Sequence, residues 1–80
     1  MKKGITLREF NFLKFYIDIA SDTFGNAYKS AMQAGYTNAY ARVIKRYYSP
    51  WRMKLLKKTL KDDDLVKMIE ATRHLENDIP

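Results

Sequence analysis

The apolar positions of this chain fall at helical spacing, and the polar positions between them supply starts and stops. Thr6 followed by Glu9 has the spacing of a capping box, in which each residue satisfies a free backbone N–H of the other. A first helix is therefore expected from about Leu7 to Ala20. At 100° per residue, Leu7, Asn11, Lys14, Asp18 and Ser21 make one narrow stripe. Phe10, Leu13, Ile17 and Ala20 lie to one side of it, and Phe12, Phe15, Tyr16 and Ile19 to the other. A surface helix hides one apolar stripe. A helix apolar on both sides is expected at the centre of the fold, or against a second subunit as well. Residues 1–5 are expected to form a mobile arm. Ser21 to Gly25 reads as a loop, with Phe24 tucked back under the core.

Residues 26–48 read as a helix-turn-helix. Asn26 can cap a helix from Ala27 to Ala34, a run without Gly, Pro or β-branched residues. Gly35 stands where a helix ends in a left-handed conformation, which glycine adopts freely. Thr37 can cap the next helix, expected from Asn38 to about Tyr48. Helices joined by so short a turn cross steeply, and Ala31 and Ala41 let the backbones approach, with Tyr36 and Ile44 beside them. Ser49 can cap a fourth helix with Pro50 at its first position. That helix, Trp51 to about Leu60, keeps Trp51, Leu55, Leu56, Thr59 and Leu60 on one side, while Lys54, Lys57, Lys58 and Lys61 take the other and Met53 lies off the apolar stripe. Asp62 to Asp64 suit the start of a fifth helix, where negative charge complements the helix dipole. It is expected from about Leu65 to Leu75, with Leu65, Met68, Ile69, Thr72 and Leu75 inward and Lys67, Glu70, Arg73 and His74 outward. Residues from Glu76 to Pro80 look frayed. The expected fold is all-α: one small domain of about five helices, with the helix-turn-helix formed by helices 2 and 3.

Composition adds limits. Eighty residues bury only about 60–65% of their unfolded surface, so the core is modest. Aromatic residues make up 14% of the chain and let a small core bury much area. There is no cysteine, hence no disulfide or thiolate site, and no apolar run long enough for a membrane span. A cytoplasmic location is expected. Charge changes the picture most. The net charge is +6, yet residues 42–61 hold eight Lys and Arg and no Asp or Glu. Residues 62–80 carry two basic and six acidic groups. A local excess of that size favours an anionic partner.

Catalytic chemistry finds little purchase. The single histidine, His74, lies on a polar helix face, and no serine has partners at motif spacing. The glycines at 4, 25 and 35 make no phosphate loop. The three consecutive aspartates read as a helix cap before they read as a metal site. No enzyme, cofactor or metal is expected.

A helix-turn-helix with a basic second helix reads as a binder of double-stranded DNA. The helix from Asn38 would enter the major groove by its N-terminal half, with Thr37 and Asn38 at its start and Arg42 one turn on. Asparagine suits bidentate contact with adenine and arginine with guanine. Tyr28, Lys29, Lys45, Arg46, Lys54, Lys57 and Lys58 would hold phosphates and fix register. A single module with so small a reading head should bind weakly alone and gain by oligomerising. The alternative is an oligomeric protein-interaction module. The two apolar sides of the first helix and a Tyr47, Tyr48, Trp51 cluster would then form the interface. A lysine face on an anionic membrane is a weaker possibility, because the apolar side of the fourth helix is needed for the core.

The stretch Asn26-Ala27, Ala31, Ala34-Gly35-Tyr36-Thr37 and Ala41-Arg42, preceded by Phe12 and Tyr16, resembles the N-terminal domain of phage terminase small subunits. The likeness covers about residues 8–46, and the Ala-Gly-Tyr-Thr turn is its most specific part. Other phage helix-turn-helix proteins, transcription regulators among them, share that turn loosely. The chain departs from the pattern at Tyr28, where a small polar residue is usual, and in its aromatic loop at residues 21–25. The resemblance implies a role in viral genome packaging in the host cytoplasm. There a homo-oligomer holds phage DNA and regulates a large subunit that supplies the ATPase and nuclease. Residues 50–76 would begin the oligomerisation region.

Overall fold

The computed structural model describes residues 4–76, with side chains as far as residue 72. The described residues are all-α, with no strand. The helices are α1 (Leu7–Ile17), α2 (Ala27–Ala34), α3 (Asn38–Arg46), α4 (Tyr48–Lys58) and α5 (Asp63–Glu76). The polar residues that start these helices act as their spacing predicts. The Thr6 hydroxyl accepts the Glu9 N–H at 3.0 Å, and the Glu9 carboxylate accepts the Thr6 N–H at 2.9 Å. Asn26, Thr37 and Asp62 each accept a backbone N–H three residues on, from Lys29, Tyr40 and Leu65.

α1 is central. It packs against α2 and α5, with Phe12, Leu13 and Tyr16 fully buried and Phe10 and Ile17 against the same core. Both apolar sides contribute to the core, Phe10, Leu13 and Ile17 on one and Phe12 and Tyr16 on the other, while Phe15 is half-buried. An aromatic cluster joins it to α4: Phe12 meets Trp51 edge-on at 4.8 Å, and Tyr16 stacks on Tyr48 at 5.1 Å. Leu55 of α4 and Leu65 and Ile69 of α5 complete the core.

Six expectations need correction. α1 stops at Ile17 because the Asp18 carboxylate accepts the Ala20 N–H at 3.0 Å and turns the chain, which leaves Ile19 in solvent. In the following loop it is Thr23 that enters the core. Its hydroxyl donates to the Phe15 carbonyl at 2.7 Å, relieving the free end of α1, while Phe24 stays exposed. Ile5 is core, 5% exposed, so the expected arm does not include it, and residues 1–3 lie outside the described set. α3 ends at Arg46, and α4 begins at Tyr48 with no side-chain cap, so Ser49 is not the cap and Pro50 is the third helical residue. Proline fits there because the first N–H groups of a helix have no intrahelical acceptor. Lacking an N–H, Pro50 also cannot bond the Arg46 carbonyl, so the two helices stay separate. α4 ends at Lys58, which releases Leu60 to solvent while Thr59 is buried. α5 runs through Glu76, past the expected end, and the side chains of Arg73, His74 and Leu75 lie outside the described set.

Tyr48 and Trp51 belong to the core, so of the three aromatic residues expected at a protein interface only Tyr47 is exposed.

Candidate nucleic-acid interface

The turn between α2 and α3 is built from backbone chemistry. Gly35 takes φ 104°, and the Tyr36 N–H bonds back to the Ala31 carbonyl at 3.0 Å, closing the end of α2. Ala31 and Ala41 are fully buried, one on each helix, and α2 packs directly on α3. Tyr36 fills the space beside the turn, with its ring 5.1 Å from Tyr40 and the Arg8 guanidinium 5.5 Å above it. Burial pushes the Tyr36 phenol above its ordinary value, with the Glu9 charge adding to the effect, so it stays protonated.

α3 gives the core very little. Of its nine residues only Ala41 and Ile44 are buried, and the other seven are exposed. The seven include Asn38, Arg42, Lys45 and Arg46. Neither α3 nor α4 contains an acidic residue. Lys45 and Arg46 also border a recess of about 440 Å³ that reaches Asn26 and Ala27 at the start of α2. Two cations therefore stand beside the positive end of a helix dipole. The guanidinium of Arg46 lies 5.8 Å over the Tyr47 ring.

The ten residues read as DNA contacts do not form one surface of equivalent groups. Thr37 and Asn38 sit together at the start of α3, but both side chains are engaged. The Thr37 hydroxyl accepts the Tyr40 N–H, and the Asn38 carbonyl oxygen accepts the Tyr28 hydroxyl. Tyr28 thus spans the turn and fastens α2 to the first residue of α3. Lys29 is exposed and lies 4.0 Å from Asp22. Lys54 and Lys57 project from α4 into solvent. Lys58 turns away to α1, where its ammonium bonds both oxygens of Glu9 at 2.9 and 3.0 Å. Glu9 therefore serves the capping box and an ion pair at once. Sequence spacing carries no trace of that pairing, because its members are 49 residues apart.

Sequence reasoning also passed over Arg8, Tyr40 and Val43. Arg8 and Tyr40 line an open groove with Thr6, Glu9, Tyr36 and Thr37. Tyr40 is anchored by the Trp51 indole N–H, which donates to its hydroxyl at 3.3 Å. The three-residue apolar spacing of Tyr40 and Val43 was the available signal. It was hidden because both look like ordinary core positions of an amphipathic helix.

Among the described residues no three His, Cys, Asp or Glu side chains come together, and no helix is long and apolar enough to cross a membrane. The chain matches no family model, no curated protein and no solved structure.

Proposed function

We propose that this chain binds double-stranded DNA through α3, and that its role is that of a phage terminase small subunit. It would hold viral DNA as an oligomer in the host cytoplasm and regulate the large packaging subunit. The observation that carries the DNA reading is the exposure of α3. A helix serving only the core would bury a broad stripe. α3 leaves seven of nine residues outside, three of them cations. Its neighbour α4 adds Lys54 and Lys57 and no acidic residue. Repulsion among like charges is relieved when phosphates meet them. The packaging role rests on the resemblance of the Ala34-Gly35-Tyr36-Thr37 turn and the aromatic helix before it. In this reading the domain supplies binding, and catalysis belongs to the large subunit.

Titration of the full chain against a duplex at two salt concentrations tests the DNA reading. Affinity should fall steeply with salt, and Arg42→Ala with Arg46→Ala should abolish it, while light scattering reports an unchanged oligomeric state. A salt-independent affinity would overturn the reading.

A further inference from the structure

We propose that Val43 reads DNA bases, and that the group it recognises is the C5-methyl of thymine in the major groove. This rests on the DNA-binding reading and goes beyond it, since base contact was there assigned to Asn38 and Arg42. The two buried residues of α3 fix the direction of every other side chain around it. Ala41 and Ile44 define the inward side. At 100° per residue, Ala39 and Arg46 then point directly away from the core. Asn38, Arg42 and Lys45 form one flank, and Tyr40 and Val43 form the other, with Tyr47 just past the helix end.

The flanks differ in chemistry. The first is polar and cationic, suited to phosphates and guanine edges. On it, Asn38 already has its carbonyl oxygen bonded to the Tyr28 hydroxyl. A bidentate contact to adenine needs that oxygen as well as the amide nitrogen. The Tyr28 bond takes one of that oxygen's two lone pairs and fixes its direction, so Asn38 is the constrained polar reader on this flank and Arg42 the extended one. The second flank, with Tyr47 beyond it, exposes apolar surface that the core does not use: Tyr40 is 42% exposed, Val43 46% and Tyr47 54%. Two of these are held in place. Tyr40 is bonded to Trp51 and packed on Tyr36, and Tyr47 lies under Arg46 at the end of the helix. Val43 sits mid-helix, next in sequence to Arg42 and one turn after Ala39. It is the branched apolar group placed to approach a base edge once the cations dock on the backbone. The one apolar group that the major groove displays is the thymine methyl. An apolar side chain at that depth favours thymine over cytosine, which presents an amino donor and no methyl.

The test begins by selecting preferred duplexes from a randomised pool with the full chain. Each thymidine of the selected site is then replaced in turn by deoxyuridine, which removes only the methyl. At one or two positions the wild-type chain should lose about four-fold in affinity, the worth of burying one methyl group. Val43→Ser should show no such loss there while retaining the salt dependence of the wild type. Val43 is exposed, so the variant folds. A selection with no preferred sequence, or a deoxyuridine effect that persists undiminished in Val43→Ser, overturns the proposal. Failure of the wild-type chain to bind any duplex at low salt is a different result, and it overturns the DNA-binding reading itself.

Discussion

Gly4 and Gly35 both take positive φ, 89° and 104°, yet they stand in unlike surroundings. A methyl group on Gly35 would meet only the Arg8 side chain, at 3.7 Å. On Gly4 it would lie 2.1 Å from the Lys58 carbonyl oxygen, which is backbone and cannot step aside. Gly35→Ala should therefore lose about 1–2 kcal/mol, the strain of the left-handed conformation alone. Gly4→Ala should lose about 1–3 kcal/mol more, because a packed contact is also forced. Urea unfolding of the two variants checks the ranking, and equal losses would show that residue 4 does not pack on α4. Gly35 was legible in the sequence because a helix end is a local event with a local signature. The role of Gly4 was not, because its neighbour lies at the far end of α4. Tyr36 adds a pH dependence. Its phenol is raised above the ordinary 10.0, by burial first and the Glu9 charge second. The folded chain keeps a proton that the unfolded chain releases, so stability is full below about pH 10 and falls as pH rises beyond it. Tyr36→Phe should flatten that decline relative to wild type in alkaline denaturation.

Among the elements, the caps of α1, α2, α3 and α5 were readable, while the boundary between α3 and α4 was not. Capping depends on a residue and its third neighbour, which the sequence displays directly. The boundary depends on Tyr47 leaving helical geometry, at φ −118° and ψ 42°, so that Tyr48 and Trp51 reach Phe12 and Tyr16. That is a demand of the core; Pro50 announces a break nearby, but nothing local places it at Tyr47. Glu9 joins two elements in the same way, since it closes the capping box of α1 and holds Lys58 at the end of α4. Glutamine can keep the first task and lose most of the second. Glu9→Gln should lose only about 0.2–1 kcal/mol, the worth of a partly exposed ion pair. Glu9→Ala should lose about 0.5–1.5 kcal/mol more, the worth of the hydrogen bond from the Thr6 N–H. Thermal unfolding of both variants separates the contributions. If the two unfold alike, the carboxylate is not capping α1.

At the scale of the whole molecule, the charge segregation seen in the sequence survives folding but does not make every cation available. Arg52 is buried and Lys58 is bound to Glu9. Arg42, Lys45, Arg46, Lys54 and Lys57 stay exposed along α3 and α4. Counterion release makes the logarithm of duplex affinity fall by about 0.9 per phosphate contact for each log unit of salt. With Arg42 on a base, the other four reaching phosphates give one chain a slope of about −3.6. Removing Lys54 or Lys57 should bring that slope toward zero by about 0.9. Lys58→Ala should instead leave the slope as it was and lower stability, since its partner is Glu9 and not a phosphate. The comparison works because the three lysines share one short helix and look interchangeable in the sequence. A slope that changes equally for Lys57→Ala and Lys58→Ala would mean that the bridge to α1 opens on DNA and that α4 presents its end to the duplex. Unchanged slopes for Lys54 and Lys57 would confine the interface to α3. A reading head confined to α3 would then make binding by several linked copies the source of useful affinity.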